Sequence, residues 1–195
     1  MLNDDGLIWR SRFTNTVFLN VKLWPNDTEV SLHMTPLTDE PNQQHISFEK
    51  YKLDSLPKEL WRFSNLTYLN LEKNQLTHLP DELATLVQLT ELNISKNKFT
   101  FLPLIVCQLP NLQRLNASRN RIASIPNQIA NCQHLRTMDF YDNIIEDFGT
   151  GIFSLPELKT LNIEGVMYGT NFADDLKRKL PNTRILLDPP CKCLN

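Results

Sequence analysis

Apolar residues return in a fixed template every 23 positions through most of the chain. Leu66, Leu69, Leu71, Asn74 and Leu76 form one copy, and Leu89, Leu92, Ile94, Asn97 and Phe99 the next. Leu112, Leu115, Ala117, Asn120 and Ile122 follow, then Leu135, Met138, Phe140, Asn143 and Ile145. Apolar residues two apart share one face of a strand, so Leu69 and Leu71 enter a core together. The asparagine of each copy stands where the chain leaves its strand. Its amide is predicted to bond backbone groups of neighbouring coils, forming a ladder that satisfies peptides outside regular structure. No coil buries its apolar side alone, so stability must come from stacking.

Weaker copies flank the four clean ones. Ile46, Phe48, Tyr51 and Leu53 keep the inward positions on one side, and Leu158, Leu161, Ile163 and Val166 on the other. Six coils are expected over residues 43–170, with Ile185 to Leu187 as a seventh strand on the last edge. The returning half of each coil is equally regular. Leu60, Leu83, Val106, Ile129 and Ile152 make one column, and Phe63, Leu86, Leu109, Cys132 and Leu155 a second. Their three-residue separation predicts a short helix or helical turn with one buried face. Pro57, Pro80, Pro103 and Pro126 open these segments, where a missing N–H costs nothing; Gly149 breaks that column.

The ends do not repeat. Thr16–Leu23 and Glu29–Met34 alternate apolar and polar residues around Pro25, Asn26 and Asp27, which predicts a hairpin capping the first coil. Residues 1–42 are read as that cap and a linker. Residues 171–195 are read as a capping helix, the partial strand and a tail; Phe172, Leu176 and Leu180 share one helix side, and Lys177, Arg178 and Lys179 suit the helix C-terminus.

Composition adds exclusions more than identity. The 195 residues suit one domain, and a formal charge of −2 gives no bias toward nucleic acid or an anionic membrane. No apolar run approaches the roughly 20 residues that cross a bilayer, and the N-terminus lacks the basic-then-apolar order of a secretory leader. The cytoplasm is the expected compartment. No phosphate-binding glycine loop, H-E-x-x-H or G-x-S-x-G occurs, and the four histidines lack metal-ligand spacing. Neither catalysis, a cofactor nor a metal is expected. Cys107 and Cys132 read as packed thiols. Cys191-Lys192-Cys193 is open to several readings: a frayed tail, metal binding, acylation, a strained disulfide, or the opening of an extracellular cysteine-rich cap.

The template L-x-x-L-x-L-x-x-N-x-L is the leucine-rich-repeat signature. Its 23-residue form with L-x-x-L-P, seen at Leu66 to Pro80, Leu89 to Pro103 and Leu112 to Pro126, resembles the Ras-group class of intracellular leucine-rich-repeat proteins, which includes Scribble and Erbin. The resemblance covers about residues 43–188. It implies an α/β solenoid with a curved parallel sheet on the concave face and short helices or helical turns on the convex face. It further implies scaffolding or regulatory binding inside the cell, to a protein partner such as a small GTPase or signalling complex. An extracellular recognition module is the alternative, supported by the terminal cysteines.

Binding would be written on the outward strand positions. One column runs His45, Tyr68, Glu91, Arg114, Thr137 and Thr160; a second Ser47, Asn70, Asn93, Asn116, Asp139 and Asn162; a third Glu49, Glu72, Ser95, Ser118, Tyr141 and Glu164. Lys50, Lys73, Lys96 and Arg119 make a basic row that turns acidic at Asp142. Two readings of that row stand: a binding feature for an extended, partly acidic partner, or ordinary solvation. The expected partner contacts are Tyr68, Lys73, Glu91, Lys96, Arg114, Arg119, Asp139 and Tyr141, with the aromatics and arginines as anchors. On the convex side, Leu104 and Ile105 stand where other coils carry polar pairs, either as a docking patch or with one of them folded inward.

Overall fold

The structure is a computed structural model that describes residues 20–22, 31–33, 44–168 and 170–189. Asn20–Lys22 (β1) and Ser31–His33 (β2) pair antiparallel, as the alternating pattern predicts, in a two-stranded sheet of their own. The turn between them, the linker and the segment carrying Cys191 and Cys193 lie outside the described residues.

Seven three-residue strands form one parallel sheet. They are His45–Ser47 (β3), Tyr68–Asn70 (β4), Glu91–Asn93 (β5), Arg114–Asn116 (β6), Thr137–Asp139 (β8), Thr160–Asn162 (β10) and Arg184–Leu186 (β11). Ser124–Ile125 (β7) and Asp147–Phe148 (β9) pair separately on the returning side. From β3 to β10 each strand residue faces its equivalent 23 positions on: Leu69 stands opposite Leu92, Leu92 opposite Leu115, and Leu115 opposite Met138. The 23-residue register is thus the strand register itself. β11 pairs one residue further along, with Leu161 facing Ile185, so the last strand is Arg184–Leu186 and not Ile185 to Leu187.

Opposite the sheet, each coil returns through a five-residue 3₁₀ helix: Lys58–Arg62, Asp81–Thr85, Leu104–Gln108, Asn127–Asn131 and Thr150–Ser154. A proline precedes the first four and accepts the first helical hydrogen bond through its carbonyl, as Leu83 N donates to Pro80 O at 3.1 Å. The tight 3₁₀ form matches an inward column spaced by three. Between sheet and turns the core is continuous, with Leu60, Leu83, Val106, Ile129 and Ile152 fully buried. Ile105 joins this core at 5% exposure while Leu104 stays 55% exposed. The convex apolar pair is therefore one core residue and one surface residue.

The asparagine ladder closes the coils. Asn120 Nδ2 donates to Ile94 O at 3.1 Å and Ala117 O at 3.0 Å, while its Oδ1 accepts from Phe99 N at 3.1 Å. Asn143 repeats the set with Ala117 O, Phe140 O and Ile122 N, and Asn74 with Phe48 O, Leu71 O and Leu53 N. One amide therefore ties three backbone groups across two coils.

The fifth turn departs from the proline pattern because it packs closer to its neighbour. A Cβ on Gly151 would lie 2.0 Å from Asn127 O, and one on Gly149 2.5 Å from Ile125 O. Only glycine allows that approach. Gly151→Ala is expected to push the last two turns apart and cost about 1–3 kcal/mol, read from urea unfolding; an unchanged midpoint would contradict this packing.

The helix Thr170–Lys179 (α1) packs on the returning side of the last coil. Leu176 and Leu180 are buried, and Phe172 packs on Phe148 at a ring separation of 4.7 Å. Lys179 lies over the Phe153 ring and pairs with Asp175, which Arg178 also contacts. Cys107 and Cys132 are free, buried thiols. Burial pushes Cys107 up to about 12, with Cys132 adding to the shift, and burial alone pushes Cys132 up to about 11. Both stay protonated and unreactive at neutral pH.

Candidate protein-interaction surface

Strand alternation turns one residue in two away from the core, and the flush register lines these residues up across the sheet. His45 and Tyr68 stack at 5.6 Å between ring centroids. In the next two strands Arg114 forms an ion pair with Glu91. Tyr68 is half-buried; desolvation, then the charges of Glu72 and Glu49, raises its phenol pKa. It is therefore a neutral aromatic that can give both ring and hydroxyl to a partner.

Two columns have heavier structural duties than their outward position suggests. Asn70, Asn93, Asn116, Asp139 and Asn162 each accept, through Oδ1, the backbone N–H two residues on. These are Asx turns that bend the chain out of each strand. Asp139 belongs to this series, holding Tyr141 N at 2.9 Å. In the third column Ser95 and Ser118 are buried rather than outward, and Asn70 of the second is buried too. Small side chains fit under the bend and leave no surface for a partner there.

The basic row sits in an unusual backbone setting. Lys50, Lys73, Lys96, Arg119 and Asp142 all have φ between 53 and 68°, and Gly165 follows in register at 80°. Left-handed geometry disfavours side chains with a Cβ, yet each turn is held from outside. Lys73 N donates to Ser95 O, Lys96 N to Ser118 O, and Arg119 N to Tyr141 O. The bonds fix where each basic side chain leaves the backbone.

Ion pairing, within one coil at Lys50 and between coils at Lys96, divides the row. Lys50 contacts Glu49 at 2.7 Å and Lys96 contacts Glu72 at 2.5 Å. The Lys50 contact, with further help from Lys73 and Lys96, lowers the Glu49 pKa. Lys73 is exposed and makes no ion pair among the described residues. Arg119 lies 5.5 Å from the Tyr141 ring centre, a cation–π contact on an open face. The structure thus joins two pairs of the expected contacts, Glu91 with Arg114 and Arg119 with Tyr141, and sets Tyr68 against His45 and Lys96 against Glu72. Among the described residues, no three of His, Cys, Asp or Glu gather as a metal site, and no helix is long and apolar enough to cross a membrane.

Known proteins agree with this architecture. A profile for the leucine-rich repeat region matches residues 47–185. The chain belongs to the leucine-rich-repeat family, whose fold serves as a protein-interaction module. Among solved structures, a leucine-rich-repeat protein from Leptospira interrogans superposes with a TM-score of 0.69 at 30% identity. The match covers 74% of this chain and 37% of that protein, so this chain spans well under half of its length. No curated protein matches the sequence.

Proposed function

We propose that this chain is an intracellular scaffold or regulatory adaptor that holds a protein partner against its concave sheet. The observation that carries the reading is the aromatic and arginine line on that sheet. Tyr68 and Arg114 stand on strands locked in register by the stack behind them, and the Arg119–Tyr141 pair on the turns that leave those strands. Binding energy concentrates in such residues, and rigid placement reduces the ordering cost of association. Lys73 and Lys96 steer an approaching partner. The 23-residue L-x-x-L-P template supports the Ras-group class, with a small GTPase or signalling complex as the kind of partner. Two buried free thiols support a reducing, cytoplasmic setting.

The test is capture of partners from cell extract by the tagged chain, compared with a Tyr68→Ala, Arg114→Ala double variant. Each truncation of an interface anchor costs on the order of 2 kcal/mol, so retention of the principal partner should fall at least tenfold with little change in melting temperature. Leu104→Ser on the convex turns should leave capture intact. Loss through Leu104→Ser with a silent double variant would place binding on the other face.

A further inference from the structure

Where each coil leaves the sheet, the residues before and after the ladder position both face outward. The first row is Lys50, Lys73, Lys96 and Arg119, followed by Asp142 and Gly165. The second is Lys52, Gln75, Lys98 and Arg121, followed by Ile144 and Met167. Seven cations therefore line one edge over four coils. Glu49 and Glu72 engage Lys50 and Lys96. Lys52, Lys73, Lys98, Arg119 and Arg121 make no ion pair among the described residues, although Lys98 donates to Gln75 Oε1 at 2.9 Å.

The edge changes character within one coil. Asp142, Glu146 and Glu164 bring negative charge, while Ile144 and Met167 are 59% and 69% exposed. Met167 also forms the rim of a groove of about 180 Å³ lined by Ile145, Glu146, Phe148, Tyr168 and Phe172. The groove lies between the last returning strand and α1. A basic track thus ends at a recess of mixed character, with apolar walls from Ile145, Phe148 and Phe172 beside the Glu146 carboxylate and Tyr168.

We infer that this edge docks an extended acidic segment of a protein partner that ends in a large apolar residue. The acidic side chains lie along Lys52, Lys73, Lys98, Arg119 and Arg121, and the apolar one enters the recess beside Met167. Coils repeat about every 4.8 Å, so the five steps from the Lys52 coil to the Met167 coil span about 24 Å. An extended chain covers that in about seven residues. Asp142, Glu146 and Glu164 repel further acidic residues at the recess, which sets the order of the segment. A polypeptide suits the edge better than a nucleic acid, whose charge continues along every unit and would meet those three carboxylates. The inference rests on the chain being a protein-interaction module; its site shares Lys73 and Arg119 with the concave face but leaves out Tyr68 and Arg114.

Fluorescence anisotropy with synthetic peptides tests it. The probes carry six alternating Asp and Glu residues with Phe at either the C-terminal or the N-terminal end, a Phe-to-Ala counterpart of each, and a thymidine oligonucleotide of equal charge. One Phe peptide should bind at least tenfold more tightly than its counterpart and than the oligonucleotide. Lys98→Glu with Arg121→Glu should weaken it at least tenfold, and Met167→Asp should erase the advantage of Phe. Both variants alter exposed side chains, and an unchanged melting temperature confirms their folding. Tyr68→Ala with Arg114→Ala should leave peptide affinity unchanged even where it abolishes capture of the principal partner, which separates this site from the concave one. Equal binding of Phe and Ala peptides, tighter binding of the oligonucleotide, sensitivity to the concave variant, or no peptide binding would each overturn the inference.

Discussion

Replacing Leu92 with alanine is expected to lower the unfolding free energy by about 2–5 kcal/mol. Leu92 sits at the middle of β5, opposite Leu69 on one side and Leu115 on the other, and is 2% exposed. Its loss removes apolar burial and leaves a cavity that the locked strands on both sides cannot close. In a chain of this size, 1 kcal/mol corresponds to roughly 2–4 °C, so the melting temperature should fall by several degrees or more. Leu104→Ala, on an exposed convex position, should stay within about 0.5 kcal/mol of the parent. Equal effects at both positions would mean that the stack is not the source of stability.

Asn120→Ala should be nearly as damaging, for a polar reason. Its amide serves Ile94 O, Ala117 O and Phe99 N in a buried setting. Alanine leaves those groups unpaired, each at about 1–3 kcal/mol when buried; relaxation and entering water reduce the total to roughly 2–4 kcal/mol. Asn120→Asp separates volume from hydrogen bonding. A carboxylate still accepts from Phe99 N but cannot donate to the two carbonyls, so it destabilises the fold at neutral pH. The environment favours the protonated acid, raising its folded pKa above the unfolded value near 4. The stability deficit should therefore narrow as pH falls toward 4 and reopen as pH rises. Urea unfolding at pH 4 and pH 7 reads both signs, and a pH-independent deficit would contradict the donor role of the ladder.

The solenoid was legible because its information is local and repeated. Leu69, Leu92, Leu115 and Met138 occupy one template position, and the structure pairs them directly. The ladder asparagines were legible for the same reason. The outward columns were harder, because alternation says which way a residue points only while the strand lasts. Asn93, Asn116 and Asp139 end the strand with Asx turns, and Ser95 and Ser118 then fall inside the bend. Their signal was present, since an unbroken Asn and Asp column followed by small serines is turn chemistry. The left-handed backbone at Lys73, Lys96 and Arg119 was hidden by their residue type; Gly165 in the same register was its one visible mark. The Glu91–Arg114 and Glu72–Lys96 contacts join different coils, so they emerge only once the register is applied to the outward columns together.

Hydrogen–deuterium exchange of the full chain, alone and with its captured partner, tests the concave binding face most directly. Binding on the concave sheet should add protection in peptides spanning 68–73, 91–96, 114–119 and 137–142, with the returning 3₁₀ turns unchanged. Protection confined to 81–85, 104–108 and 127–131 would contradict it.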